Sequence, residues 1–136
     1  MRIATALALF ALPVACATKL TPGDFAGSWK VALATPLAAQ PFAGTLTVDD
    51  GGTITAGALQ SPSINGAVLH VLDGGFTATD PSGLGFQVVL RDDLNGTLTA
   101  AGRMATALDS FDASGTYVDA NAADGGGAAT FQGSRL

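Results

Sequence analysis

Residues 84–99 read LGFQVVLRDDLNGTLT. Leu84, Phe86, Val88 and Leu90 fall on one side of an extended chain, opposed by Gln87 and Arg91. After Asn95-Gly96, Leu98 and Ala100 oppose Thr97 and Thr99. A side-chain period of two belongs to a strand with one buried face, and Asn-Gly supplies the positive φ angles of a tight hairpin turn. The stretch is therefore two antiparallel strands.

The same grammar runs outward in both directions. Trp29, Val31 and Leu33 oppose Lys30, Phe42, Leu46 and Val48 oppose Thr45 and Thr47, and Phe131 opposes Thr130 and Gln132. Turn signals separate the segments at Asp49-Asp50-Gly51-Gly52, Asn65-Gly66, Asp73-Gly74-Gly75, Asp80-Pro81-Ser82-Gly83 and Asp124-Gly125-Gly126-Gly127. Eight or nine strands are expected, at about 27–34, 42–48, 52–59, 66–72, 75–79, 84–91, 96–105, 112–118 and 127–135. The alternation slips near Gly57, between Ala56 and Leu59, which points to a bulge, and Ala105–Ser110 is the expected place for a helical turn. Short links make neighbours pair as hairpins. The expected fold class is all-β, an antiparallel up-and-down meander of about eight strands closed into a small β-barrel. A sandwich is the alternative. The run GTLTVDDGGTITAG also resembles one turn of a β-solenoid, with no repeat continuing beyond it.

Composition agrees. The chain has 136 residues, room for one domain, and 18 Gly. All eleven acidic residues are Asp, which favours turns over helices, and six Lys/Arg leave a net charge of −5. Such a chain repels nucleic acid and anionic membrane surfaces.

Residues 1–15 read as a signal peptide, with Arg2 ahead of the apolar run Ile3–Leu12, too short to span a bilayer. The single cysteine, Cys16, ends this segment in LPVACAT. Val14-Ala15-Cys16 resembles the end of a bacterial lipobox, with Pro13 where that motif usually has Leu; the resemblance makes Cys16 the lipidation site. Ala15-Cys16-Ala17 also satisfies the small-x-small rule for ordinary secretion with cleavage before Thr18. Both remain open. In the first case residues 16–24 form a tether, KLTPGD at its end, and residues 25–136 the barrel domain.

No catalytic residue is expected. His70 is the only histidine, flanked by apolar residues, and a zinc site needs more His or Cys than the chain holds. Asp119, Asn121 and Asp124 lie in DANAADGGG, but Ala123 holds the third ligand position of a calcium loop, so turn chemistry explains them and no metal is expected. No helix follows the Gly-rich loops to cradle a phosphate. No cofactor is expected, and the chain reads as no enzyme.

Two family resemblances add to this. Gly27-Ser28-Trp29 looks like the G-x-W opening of lipocalins and related calycin barrels, where the Trp plugs one end beneath a late basic side chain; the resemblance implies a structural plug of Trp29 and Arg135. Gly115-Thr116-Tyr117, Asn121-Ala122-Ala123-Asp124-Gly125-Gly126 and Thr130-Phe131 resemble the tail of the transferrin-binding-protein-like barrel of Gram-negative surface lipoproteins. Gly44–Asp49 and Gly52–Thr55 resemble that family's earlier hairpin. Asp124 stands where the family commonly has Glu, and Val118-Asp119-Ala120 replaces its Gly-Pro. That resemblance implies a lipoprotein barrel binding a protein or small solute.

The expected function is a non-catalytic exported bacterial lipoprotein whose barrel is a binding module at the cell envelope, with loops 34–41, 60–65 and 119–126 carrying recognition. Its partner is a protein or small solute, not nucleic acid, and it meets the membrane only through the N-terminal lipid. Ala17, rather than Asp, after the Cys points to the outer membrane; a periplasmic or secreted soluble protein is the alternative. A lipocalin-like carrier is the first rival, since inward Ala56, Ala78, Ala100 and Gly102 could leave a cavity among Trp29, Phe42, Phe86, Phe111, Tyr117 and Phe131. A secreted protease-inhibitor-type barrel is the second.

Overall fold

The structure, a computed structural model, describes residues 19–36, 38–63, 68–80, 83–119 and 126–136. Eight strands, β1 (Gly27–Ala34), β2 (Phe42–Val48), β3 (Ile54–Gln60), β4 (Val68–Ala78), β5 (Gly85–Asp92), β6 (Gly96–Met104), β7 (Ser110–Asp119) and β8 (Gly127–Arg135), pair in sequence order. β8 returns to β1, with Trp29 opposite Arg135 and Leu33 opposite Phe131, and closes the sheet into a barrel. Closure leaves no free edge. Every described pairing is antiparallel, so the links alternate between the two ends of the barrel.

The alternation read in the sequence places the core. Trp29, Leu33, Phe86, Val88, Leu90, Leu98 and Phe131 are fully buried inside, while Lys30, Thr45, Gln87, Thr99 and Gln132 face solvent. An apolar interior under a polar wall is the reverse of a membrane-spanning barrel, whose outer band is apolar.

Four expectations are corrected. Asp73-Gly74-Gly75 is not a turn: residues expected as two strands form the single β4. Those residues instead absorb a register shift between Val71 and Asp73, and Gly74, at φ +147°, lies against the Val89 carbonyl where a side chain has no room. The β3 bulge sits two residues before Gly57, because Thr47 pairs with Ala56 while Val48 pairs with Ile54. That shift turns Ala56 outward, so it is not an interior position. Residues 105–109 make no helical turn but a hairpin link, closed by Leu108 N–H to the Ala105 carbonyl at 2.8 Å with Leu108 at φ 60°. The helical turn lies elsewhere, as a 3-10 helix over Pro22–Phe25. Pro22 fits its first position because that N–H has no helical acceptor, and the Thr21 N–H donates to Asp24 Oδ2 at 2.7 Å.

The packed body also starts earlier than Phe25. Leu20 is buried and its N–H reaches the Gly83 carbonyl at 3.3 Å.

Candidate functional site

The two ends of the barrel differ in chemistry. One end gathers the 3-10 helix, the links 49–53, 79–84 and 105–109, and the C-terminal Leu136. There Trp29 is fully buried, its Nε1–H donating to the Phe25 carbonyl at 2.8 Å. The Arg135 guanidinium carbon lies 4.3 Å from the Trp29 ring centre. Its Nε donates to the Leu108 carbonyl at 2.8 Å, Nη1 to the Ala26 carbonyl at 2.6 Å, and Nη2 to the Asp24 carbonyl. One planar cation thus ties the N-terminal turn, the β6–β7 link and the Trp ring together, with the ring's negative face and three carbonyl dipoles all favouring its charge.

Below this lid a cluster of aromatic rings packs into the interior. Phe25 stacks on Phe76 at 4.8 Å between centres, and Phe111 meets Trp29 at 5.2 Å and Phe76, Phe86 and Phe131 at 5.5 Å. Small inward residues make space for those rings. A side chain at Gly133 would run into the Phe111 ring, and Ala100 and Ala113 are buried in the same core. Small residues therefore do not mean empty space here.

At the other end lie the strand ends that residues 35–41, 61–67, 93–95 and 120–126 connect, a set that includes every loop expected to carry recognition, although residues 37, 64–67 and 120–125 lie outside the described residues. Its centre is a buried polar pair. Asp92, 2% exposed, accepts the Tyr117 hydroxyl at 2.5 Å on Oδ2 and the Leu94 and Gly96 N–H groups at 2.9 Å on Oδ1. Gly96 is confined to hydrogen because a methyl there would overlap the Tyr117 hydroxyl. Neighbouring links are cross-tied: Ser61 Oγ donates to the Gln40 carbonyl at 2.7 Å, and the Gln40 N–H to Ser63 Oγ at 3.2 Å. The β5–β6 link is tied to β4 through the His70 N–H and Asp93 Oδ1 at 3.0 Å. Hydrogen bonds thus tie the described residues of this rim to one another.

Burial pushes the Tyr117 phenol well above its ordinary value of 10.0, and the Asp92 hydrogen bond and charge add to the rise. A folded-state value above the unfolded one stabilises the fold fully below pH 10 and less as pH rises beyond it, because the unfolded chain sheds a proton that the folded chain keeps. Above pH 10 stability should fall by up to about 1.4 kcal/mol per pH unit from this group. Tyr117→Phe should remove that slope and cost about 1–3 kcal/mol at pH 7, since Asp92 keeps its burial and loses a donor. Tyr117 is the only tyrosine. Its phenolate absorbance therefore reads the prediction directly, and titration near 10 in the folded protein would refute it.

The sequence marks Tyr117 as an interior aromatic but does not single out its pairing with Asp92. The signal was present, since the inward series Phe86, Val88, Leu90 continues to position 92 and places a carboxylate in the core. His70 is exposed on the outer wall, as is the Asp73–Arg91 pair, whose atoms lie 2.5 Å apart and which is 55–57% exposed. The Arg91 guanidinium holds the Asp73 carboxyl below its usual range, but an ion pair that open to water contributes little to stability. Shallow depressions of about 560 and 400 Å³ lie on the outside of β6–β8 and β1, bordered by Arg103, Asp112, Gln132 and Lys30. Among the described residues no three His, Cys or Asp side chains group to hold a metal. Asp119 is half-buried, whereas Asn121, Asp124 and Cys16 lie outside the described residues.

No protein-family model matches the chain, and no curated protein matches it. Among solved structures it is similar to a de novo designed fluorescence-activating β-barrel, with a TM-score of 0.58 at 12% identity over 86% of this chain and 99% of that one. At that identity the likeness concerns architecture, an eight-stranded antiparallel β-barrel.

Proposed function

We propose that the protein is a non-catalytic exported lipoprotein of the bacterial envelope whose barrel recognises a protein or small solute through loops at one end. The observation that carries this is the asymmetry of the barrel. The chain enters at the plugged end through Leu20, and four links crown the opposite rim. Cys16 beside an apolar leader supports the anchor, and the resemblance of the β7–β8 region to the transferrin-binding-protein-like module supports a binding role. Rings occupying the plugged half favour recognition by loops over carriage of a ligand inside. Residues Leu20–Phe25 are pinned into the barrel end, which argues against an N-terminal segment free to enter a protease cleft.

Mass spectrometry of the mature N-terminus tests the anchor: an acylated Cys16 is expected, and a free Thr18 would overturn it. Replacing residues 35–41 and 61–67 by short Gly-Ser links should abolish capture of the partner while leaving the fold's circular dichroism unchanged. Undiminished capture would remove the loops from the recognition surface.

A further inference from the structure

We infer that the plugged end is the membrane-proximal face of this protein, standing over phospholipid headgroups and holding the four-loop rim at the far end. This deepens the proposed function and rests on acylation of Cys16. The argument is one of lengths. Leu20 is 6% exposed and hydrogen-bonded to Gly83, and Phe25 is fully buried between β4 and β5 rings, so the chain is part of the rigid body from Leu20 onward. Four peptide links join Cys16 to Leu20 and span at most roughly 14 Å when fully extended. Strands of seven to eleven residues, tilted as barrel strands are, make a body roughly 20 Å or more tall. A leash of 14 Å cannot pass a 20 Å body, so the loop rim cannot be laid against the bilayer. Had the packed body begun at Phe25, nine links would have allowed that inversion.

Charge sets the stand-off. Asp49, Asp50 and Asp109 are exposed on the plugged end and outnumber Lys19, the exposed cation beside the leash, so this end meets an anionic headgroup layer with an excess of acidic groups. Repulsion reaches roughly 30 Å at 10 mM salt and roughly 8 Å at 150 mM, so salt moves the body within the leash.

The test uses the full-length lipidated protein in vesicles of three parts phosphatidylcholine to one of phosphatidylglycerol, with a spin label on a fraction of the headgroups. Acylation consumes the only native thiol, so single cysteines can carry a reporter. Ala107→Cys reports the plugged end, and Leu94→Cys, whose side chain is 41% exposed, reports the loop rim. Relaxation at Ala107→Cys should exceed that at Leu94→Cys by at least about tenfold, given its steep distance dependence over a 20 Å body. It should also rise as salt goes from about 10 to 150 mM. Equal relaxation at the two sites, as in a barrel lying on its side, or a reversed order, would overturn the inference while leaving the anchor intact. A salt-independent signal would overturn the stand-off. Protein that fails to partition into vesicles at all, with a free Thr18, would overturn the anchor itself and this orientation with it.

Discussion

Trp29→Ala should lower unfolding free energy by about 4–5 kcal/mol, enough to leave a domain at the low end of ordinary stability, about 5 kcal/mol, partly unfolded. Removing a fully buried indole leaves a cavity against Phe111, whose ring centre lies 5.2 Å away. It also takes the aromatic face from Arg135 and the Nε1–H from the Phe25 carbonyl, so the lid loses packing and polar ties together. Trp29→Phe, which keeps a ring and loses the N–H, should cost about half as much. Urea unfolding followed by far-ultraviolet circular dichroism measures both, since fluorescence would vanish with the only tryptophan. A loss below about 2 kcal/mol for Trp29→Ala would show that the plugged end relaxes to fill the gap.

The second large effect lies in the wall. Gly102→Val should cost about 3 kcal/mol or more. Gly102 pairs with Ala113 on β7, and a Cβ there would overlap the Asp112 carbonyl and the Ala113 Cα. The obstruction is backbone held in the sheet ladder, which cannot swing aside as a side chain can. Relief requires β6 and β7 to separate, which breaks hydrogen bonds along both. Gly51→Ala is the control. Its added methyl would meet only the Asp49 carboxylate, at 3.4 Å, so a change of about 0.5 kcal/mol or less is expected. Similar losses at the two sites would mean that close approach to the neighbouring backbone is not what makes Gly102→Val costly.

The readable and unreadable parts of the fold separate along a physical line. Alternation is local, so the faces of β1, β2, β5 and β6 follow from a few neighbouring residues, and Asn95, at φ 64°, supplies the left-handed residue of its hairpin link, although Gly96 opens β6 rather than sharing the turn. Asp73-Gly74-Gly75 failed by the same local rule. Its residues permit a turn, but continued pairing of β4 with β5 keeps the chain extended and converts them into a bulge. Ala56 failed likewise, because the β3 bulge shifts which side of the strand faces inward.

By itself, then, the sequence determined an all-β chain, its period-two core and most of its hairpins, because each of these is decided within a few residues. Tertiary structure alone decided how the ends were made. The Arg135 guanidinium reaches Ala26 across 109 residues, Tyr117 finds Asp92 across 25, and Leu20 is drawn into a barrel end formed by links far along the chain. Apart from the Gly27-Ser28-Trp29 resemblance, which implied that Arg135 lies over Trp29, no local pattern encodes those meetings. They exist because closing β8 onto β1 brings distant strand ends to one rim, where burial obliges every polar group to find a partner.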